Sequence, residues 1–105
     1  MVIIETSVFT KQIQKLLTDE EYQQLQAELI NRPDLGVVIP GGGGLRKTRW
    51  AAQGRGKRGG TRVIYYWAVV HNQLLMLLIY PKNVQDDLTS AQLKILRQIV
   101  ETEYP

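Results

Sequence analysis

Apolar residues change their spacing several times along this 105-residue chain, and each change marks a predicted element. Val2 to Phe9 (VIIETSVF) mixes β-branched residues with Thr6 and Ser7 and reads as a short opening strand. From Thr10 the period becomes helical, with Phe9, Ile13, Leu16 and Leu17 on one face. Thr18-Asp19-Glu20-Glu21 is a capping-box signature, Thr18 capping and Glu21 three residues on, so residues 10 to 31 form two helices or one bent at Thr18. Tyr22, Leu25, Leu29 and Ile30 give the second segment its apolar face, and Asn31-Arg32-Pro33 ends it, because the residue before a proline avoids helical geometry.

Leu35 to Pro40 and the glycines Gly41 to Gly44 predict a loop or turn. Leu45 to Ala52 then reads as a strand, Gln53 to Gly60 as a glycine-rich turn, and Thr61 to Val70 as a strand of strong β-formers. His71-Asn72 sits between two apolar runs as a solvent-exposed hairpin turn leading to Gln73 to Tyr80, whose poor alternation predicts an interior strand covered on both faces. Thr89 and Gln92 repeat the capping-box pattern before a last helix, striped by Leu93, Leu96, Val100 and Tyr104 and widened by Ile95 and Ile99. The expected fold is α+β in the order β-α-α-β-β-β-α, a twisted antiparallel sheet packed by helices, forming one domain over residues 1–105.

Charge changes this picture most between Leu45 and Tyr66. That stretch holds seven of the thirteen basic residues, Arg46, Lys47, Arg49, Arg55, Lys57, Arg58 and Arg62. Residues 35 to 85 carry eight Lys or Arg and no acid, a local charge of +8 in a chain whose net charge is +3. Crowded cations gain nothing for folding, which points to a polyanionic partner; a solvated basic loop is the plainer alternative. Zero cysteines and the single His71 exclude a thiol nucleophile, a zinc finger and a cysteine-histidine pair, and fit a reducing cytoplasm. Met1 to Thr10 carries Glu5 without a basic leader region, and no apolar run is long enough to span a bilayer, so a cytoplasmic protein is expected.

Two glycine patterns imitate nucleotide sites. Gly54-Arg55-Gly56-Lys57-Arg58-Gly59 matches GxGxxG, and Gly41 to Thr48 approaches a P-loop with Arg46 in place of the second required glycine. A strand follows each, so neither supplies the helix N-terminus that receives a phosphate. Asp19, Glu20, Glu21, Asp86 and Asp87 stand at or just before helix starts, where the helix dipole accounts for them. A serine triad and metal ligation have no support in the spacing, and no cofactor is expected. Trp50, Tyr65, Tyr66, Trp67 and Tyr80 interleave with or flank the basic hairpin; outward-facing rings would stack on bases, but core filling is the commoner fate of strand aromatics. Alternation puts Arg62, Ile64 and Tyr66 on one face and Val63, Tyr65 and Trp67 on the other.

Three motifs carry a family resemblance: Gly43-Gly44-Leu45-Arg46-Lys47-Thr48-Arg49, the run from Gly54 to Tyr66, and Tyr80-Pro81-Lys82-Asn83 followed by an acid pair and a helix. Over nearly its whole length the chain resembles toxins of the RelE superfamily, and specifically the HigB branch, from bacterial toxin-antitoxin pairs. The resemblance implies a metal-independent, ribosome-dependent endoribonuclease that enters the aminoacyl site and cuts bound messenger RNA. It also implies a HigA-like, DNA-binding antitoxin as partner. On the family's pattern Arg62 opens the third strand, Arg49 with Lys47 supplies the basic residues of strand two, and Lys82 follows the last strand. An arginine and a tyrosine used by RelE-branch members correspond here to Asn83 and Thr89. The ParE branch of the same superfamily poisons gyrase, so a non-enzymatic inhibitor on this scaffold is the competing reading.

Such a cleft would work without histidine because RNA brings its own 2′-hydroxyl nucleophile. Arg62 and Arg49 are expected to clamp the phosphate, while Arg46, Lys47, Arg55 and Arg58 bind RNA or ribosome. A lysine crowded by cations is pushed toward its neutral form, which makes Lys57, between Arg55 and Arg58, or Lys82 the candidate for proton transfer. Arg62, at a strand's start beside a glycine turn, is expected to be accessible.

Overall fold

A computed structural model describes residues 1–50 and 60–105. Among these the order is β1 (Val2–Glu5), α1 (Ser7–Leu16), α2 (Asp19–Asn31), β2 (Val37–Val38), β3 (Leu45–Trp50), β4 (Thr61–Ala68), β5 (Gln73–Pro81) and α3 (Ser90–Glu103). The strands form a single sheet in the order β1-β5-β4-β3-β2. The fold is α+β, and the three long strands β3, β4 and β5 pair antiparallel as predicted. The first strand joins at the edge in parallel with β5, Ile3 beside Leu74 and Ile4 beside Leu75, which makes the sheet mixed.

Local chemistry sets the boundaries. The opening strand is shorter than Val2 to Phe9, because the Thr6 hydroxyl accepts a hydrogen bond from the Phe9 N–H at 3.1 Å and starts α1 at Ser7. A cap at this position outweighs the β preference of its neighbours. The two predicted helical segments are separate helices. Thr18 Oγ1 accepts from the Glu21 N–H at 3.1 Å while Glu21 Oε1 accepts from the Thr18 N–H at 2.8 Å, closing the capping box at the start of α2. Thr89 and Gln92 close the equivalent box on α3. Within the expected loop, Val37 and Val38 instead pair with Lys47 and Arg46 as the edge strand β2. The strand predicted to end at Val70 stops at Ala68; Val69 to Asn72 make an exposed turn, Asn72 taking the left-handed conformation with φ 54°.

The helices divide between the two sides of the sheet. Phe9, Ile13 and Leu17 of the first helical segment and Leu25 and Leu29 of α2 pack with Val63, Tyr65, Leu74, Met76 and Ile79 in one apolar cluster. Leu96 and Val100 of α3 pack on the opposite side against Leu45, Ile64, Leu75, Leu77 and Tyr80. Ile30 and Ile95 were expected in helix stripes but lie at the exposed margins, Ile95 with 56% of its surface accessible. Tyr65 fastens the sheet to the passage after α2: its hydroxyl donates to Pro33 O at 2.7 Å and accepts from the Gly36 N–H at 2.8 Å. Gly36 is required there, since a Cβ would lie 2.8 Å from the Tyr65 ring.

One irregularity positions the site. Between β4 and β5 the register runs Ile64 to Leu78 and then Tyr65 to Met76, so Leu77 is an extra residue, a β-bulge. Without it, strict alternation from Leu75 and Leu77 would send Tyr80 to the α1–α2 side. With it, Tyr80 joins the α3 side and stands directly beside Arg62.

Candidate nucleic-acid interface

The cations of β3 are sorted by the two-residue period of the strand. Leu45 belongs to the cluster under α3 and Trp50 packs against the cluster under α1 and α2, so Lys47 and Arg49 share the α3 side while Arg46 lies on the other. Cross-strand register then sets Arg49 against Arg62 and Arg62 against Tyr80. The result is a row across three strands, Arg49, Arg62 and Tyr80, with Lys47 roughly 7 Å from Arg49 along β3.

Arg62 is not accessible as the sequence suggests: only 2% of its surface is exposed. The reason is topological, since β4 is the middle strand of five and its neighbours flank Arg62 on both sides. Arg62 Nη2 lies 3.3 Å from Asp86 Oδ1, a carboxylate that is itself largely exposed. Lys47 Nζ lies 2.5 Å from Asp87 Oδ1. That hydrogen bond, and then the lysine charge, hold the Asp87 carboxyl below its ordinary value. Tyr80 donates to the backbone oxygen of Asp86 at 3.4 Å. Burial first, and then the Asp87 charge, push its phenol upward, while Arg62 pulls it back.

The segment carrying these acids is tied down at both ends. Val84 and Gln85 donate backbone hydrogen bonds to Pro81 O, and the Gln85 side-chain amide meets that of Gln92 in the first turn of α3. Thr89 at the helix start spends its hydroxyl on the cap. Lys82 is exposed just past β5, and its N–H donates to Gly60 O at 3.2 Å, next to the start of β4.

The structure therefore brings Lys47, Arg49 and Arg62 together and sets Lys82 after the strand that carries Tyr80. It does not bring Arg46 to them: that guanidinium donates to Gly36 O at 2.9 Å and steadies the passage before β2. Arg55, Lys57 and Arg58, with the predicted glycine-rich turn up to Gly59 and the last two residues of the strand predicted to end at Ala52, lie outside the described residues. The aromatics are engaged in packing. Tyr65 is fully buried, Trp50 and Trp67 pack against the cluster under α1 and α2, and Tyr66 stacks on Tyr104 with ring centroids 5.6 Å apart. Among the described residues no group of His, Asp or Glu could hold a metal ion, and no helix is long and apolar enough to cross a membrane.

Sequence reasoning missed Tyr80, Asp86 and Asp87 as members of this cluster. One signal pointed to the acids: they are the first after Asp34 and close the acid-free stretch. No spacing rule finds Tyr80, because its side of the sheet depends on the bulge.

The family model that matches this sequence is the RelE toxin of the RelE / RelB toxin-antitoxin system, over residues 1–104. The match covers every element of the fold described above and the whole cationic row, and on this ground the chain belongs to the RelE toxin family.

Proposed function

We propose that the protein is the toxin of a toxin-antitoxin pair, of the HigB-like kind, and that it cleaves messenger RNA on the ribosome without a metal. The observation that carries this reading is the row of Lys47, Arg49 and Arg62 on one side of β3 and β4. Its anionic partners at Arg62 and Lys47 come from one short segment, Asp86-Asp87.

An incoming phosphate takes the place of the Asp86 carboxylate at Arg62 and gains Arg49 from the neighbouring strand. Guanidinium groups suit this exchange because their planar forks match phosphate oxygens. Away from bulk water each such contact is stronger, and the burial of Arg62 supports a role for it in stabilising the charge that develops on the phosphorane. The 2′-hydroxyl gives its proton to a basic side chain as its oxygen attacks the adjacent phosphorus, the new oxygen-phosphorus bond forms as the bond to the 5′-oxygen breaks, and the leaving oxygen takes up a proton, leaving a 2′,3′-cyclic phosphate. Lys82 beside the row, or Lys57, serves that proton transfer. Tyr80 holds the Asp86 backbone and so keeps the acid segment beside the cations.

Dependence on the ribosome follows from the same chemistry. A cleft whose groups are weak acids and bases gains most when another body aligns the 2′-hydroxyl with the phosphate. The partner that restrains the toxin is an antitoxin, as the family implies; a DNA-binding, HigA-like protein fits the HigB reading. Purified protein incubated with translating ribosomes, followed by mapping of RNA ends, tests the proposal. Discrete cuts in the aminoacyl-site codon, absent when ribosomes are omitted, are expected; intact messages would leave a non-enzymatic inhibitor in its place.

A further inference from the structure

Next to the cationic row is a cleft of about 340 Å³ that the phosphate chemistry does not use. Val37, opposite Lys47 in the β2–β3 register, and Ile39 wall it on the β2 side, Leu88 and Leu93 on the α3 side, and Lys47 and Asp87 complete its lining. We propose that this cleft is a nucleobase subsite, taking one base of the bound RNA strand and favouring bases that carry an exocyclic amino group. This rests on the RNA reading above.

Three observations carry it. The cleft shares Lys47 with the row of cations, so an RNA strand whose phosphate reaches Arg49 and Arg62 brings a neighbouring base to its mouth. Its volume lies at the low end of the range for small-molecule sites, roughly 300–1,000 Å³, a size that suits a single nucleobase. Its charged groups are the Lys47 ammonium and the Asp87 carboxylate, and an ionised carboxylate only accepts hydrogen bonds. Asp87 spends Oδ1 on Lys47, and its second oxygen stays available for an amino donor. Adenine N6, cytosine N4 and guanine N2 are such donors; uracil offers only its N3–H, set between two carbonyl oxygens that repel a carboxylate.

The walls are held in place before any ligand arrives. The Ile39 N–H donates to Leu45 O at 2.8 Å, the Gly42 N–H to Ile39 O at 2.9 Å, and Arg46 grips Gly36 O. Val37 is nonetheless 74% exposed, apolar surface on an edge strand that a flat base would cover. Aliphatic walls suit a planar ring, and the Asp87 carboxylate supplies the selectivity.

Methyl-resolved NMR titration of the free protein with AMP, CMP, UMP and ribose 5-phosphate tests the subsite directly. AMP and CMP should shift the Val37, Ile39, Leu88 and Leu93 methyls, UMP about tenfold more weakly for want of the amino contact. Ribose 5-phosphate should leave those methyls unmoved. Silence of the methyls toward every nucleotide, or an equal response to ribose 5-phosphate, overturns the proposal. So would methyls that answer only to the antitoxin, which would make the cleft a protein-docking groove. Codon-resolved cut mapping on ribosomes with Asp87→Asn and Val37→Phe separates this from the parent reading. If the wild type makes no cuts, the RNA reading fails and the titration alone decides the cleft. If it cuts and both variants, checked for an unchanged melting transition, keep the wild-type base distribution, the subsite is wrong while cleavage stands. The expected result is a flattened base preference in Asp87→Asn and about tenfold slower cutting at favoured codons in Val37→Phe, through one lost base contact.

Discussion

The two sides of the sheet are made by the same strands and differ in nearly every physical respect. Toward α1 and α2, β4 and β5 present Val63, Tyr65, Leu74, Met76 and Ile79, all fully buried and apolar apart from one phenol that is satisfied at both ends. Toward α3 the same strands begin with an apolar cluster and end in Arg62 and Tyr80, beside Arg49 and Lys47 of β3. The lesson is a division of labour at single-residue spacing. A complete core on one side lets the other side hold like charges close together, with Asp86 and Asp87 as counter-ions.

That contrast is breakable by mutation. On the α1–α2 side Phe9→Ala should lower unfolding stability most, by about 3–5 kcal/mol, since Phe9 is fully enclosed and its removal leaves a cavity. Urea denaturation measures it, and cleavage per folded molecule should be unchanged. Loss of cleavage with little loss of stability would mean that the two sides are not separate in function. Tyr65→Phe is next: it deletes the donor to Pro33 O and leaves the buried Gly36 N–H without its acceptor, which should cost about 1–3 kcal/mol. Rescue of that loss is not expected from any change at the cationic row.

The smallest effect sharpens the other side. Lys47 stabilises the charged form of Asp87, so the folded protein holds that carboxyl below its unfolded value. The ion pair's contribution is therefore present above the ordinary carboxylate range, near 3.9, and is lost as pH falls through the depressed folded value. Carboxyl-carbon NMR should show Asp87 titrating below an unperturbed aspartate, and Lys47→Ala should move its midpoint up. A midpoint indifferent to Lys47 would dissolve the pairing that joins the acid segment to β3.

Most of the fold was legible because its signals are local. Capping boxes lie within four residues of chain, as at Thr18 to Glu21 and Thr89 to Gln92, and β-branched runs mark strands without knowledge of their partners. What escaped is non-local. The parallel pairing of β1 with β5 joins residues about seventy apart, and Val37–Val38 become a strand only because β3 offers an edge. The site was legible as a composition and not as a geometry. Arg49, Lys47 and Arg62 stood out by charge, yet the burial of Arg62 depends on β4 being central, and Tyr80 reaches it only through the bulge at Leu77. Asp86 and Asp87 read as helix-start acids and serve as the counter-ions of that row.

Arg62 joins both halves of this account, buried like a core residue and placed like a clamp. Single-turnover cleavage at saturating ribosome, compared between the parent and Arg62→Ala, asks directly whether the row is a catalytic site. The variant should unfold in one cooperative transition and bind ribosomes, while its cleavage rate falls on the order of 10²–10³-fold, the loss expected for a donor aimed at transition-state charge. A rate equal to the parent's in a correctly folded variant would contradict it.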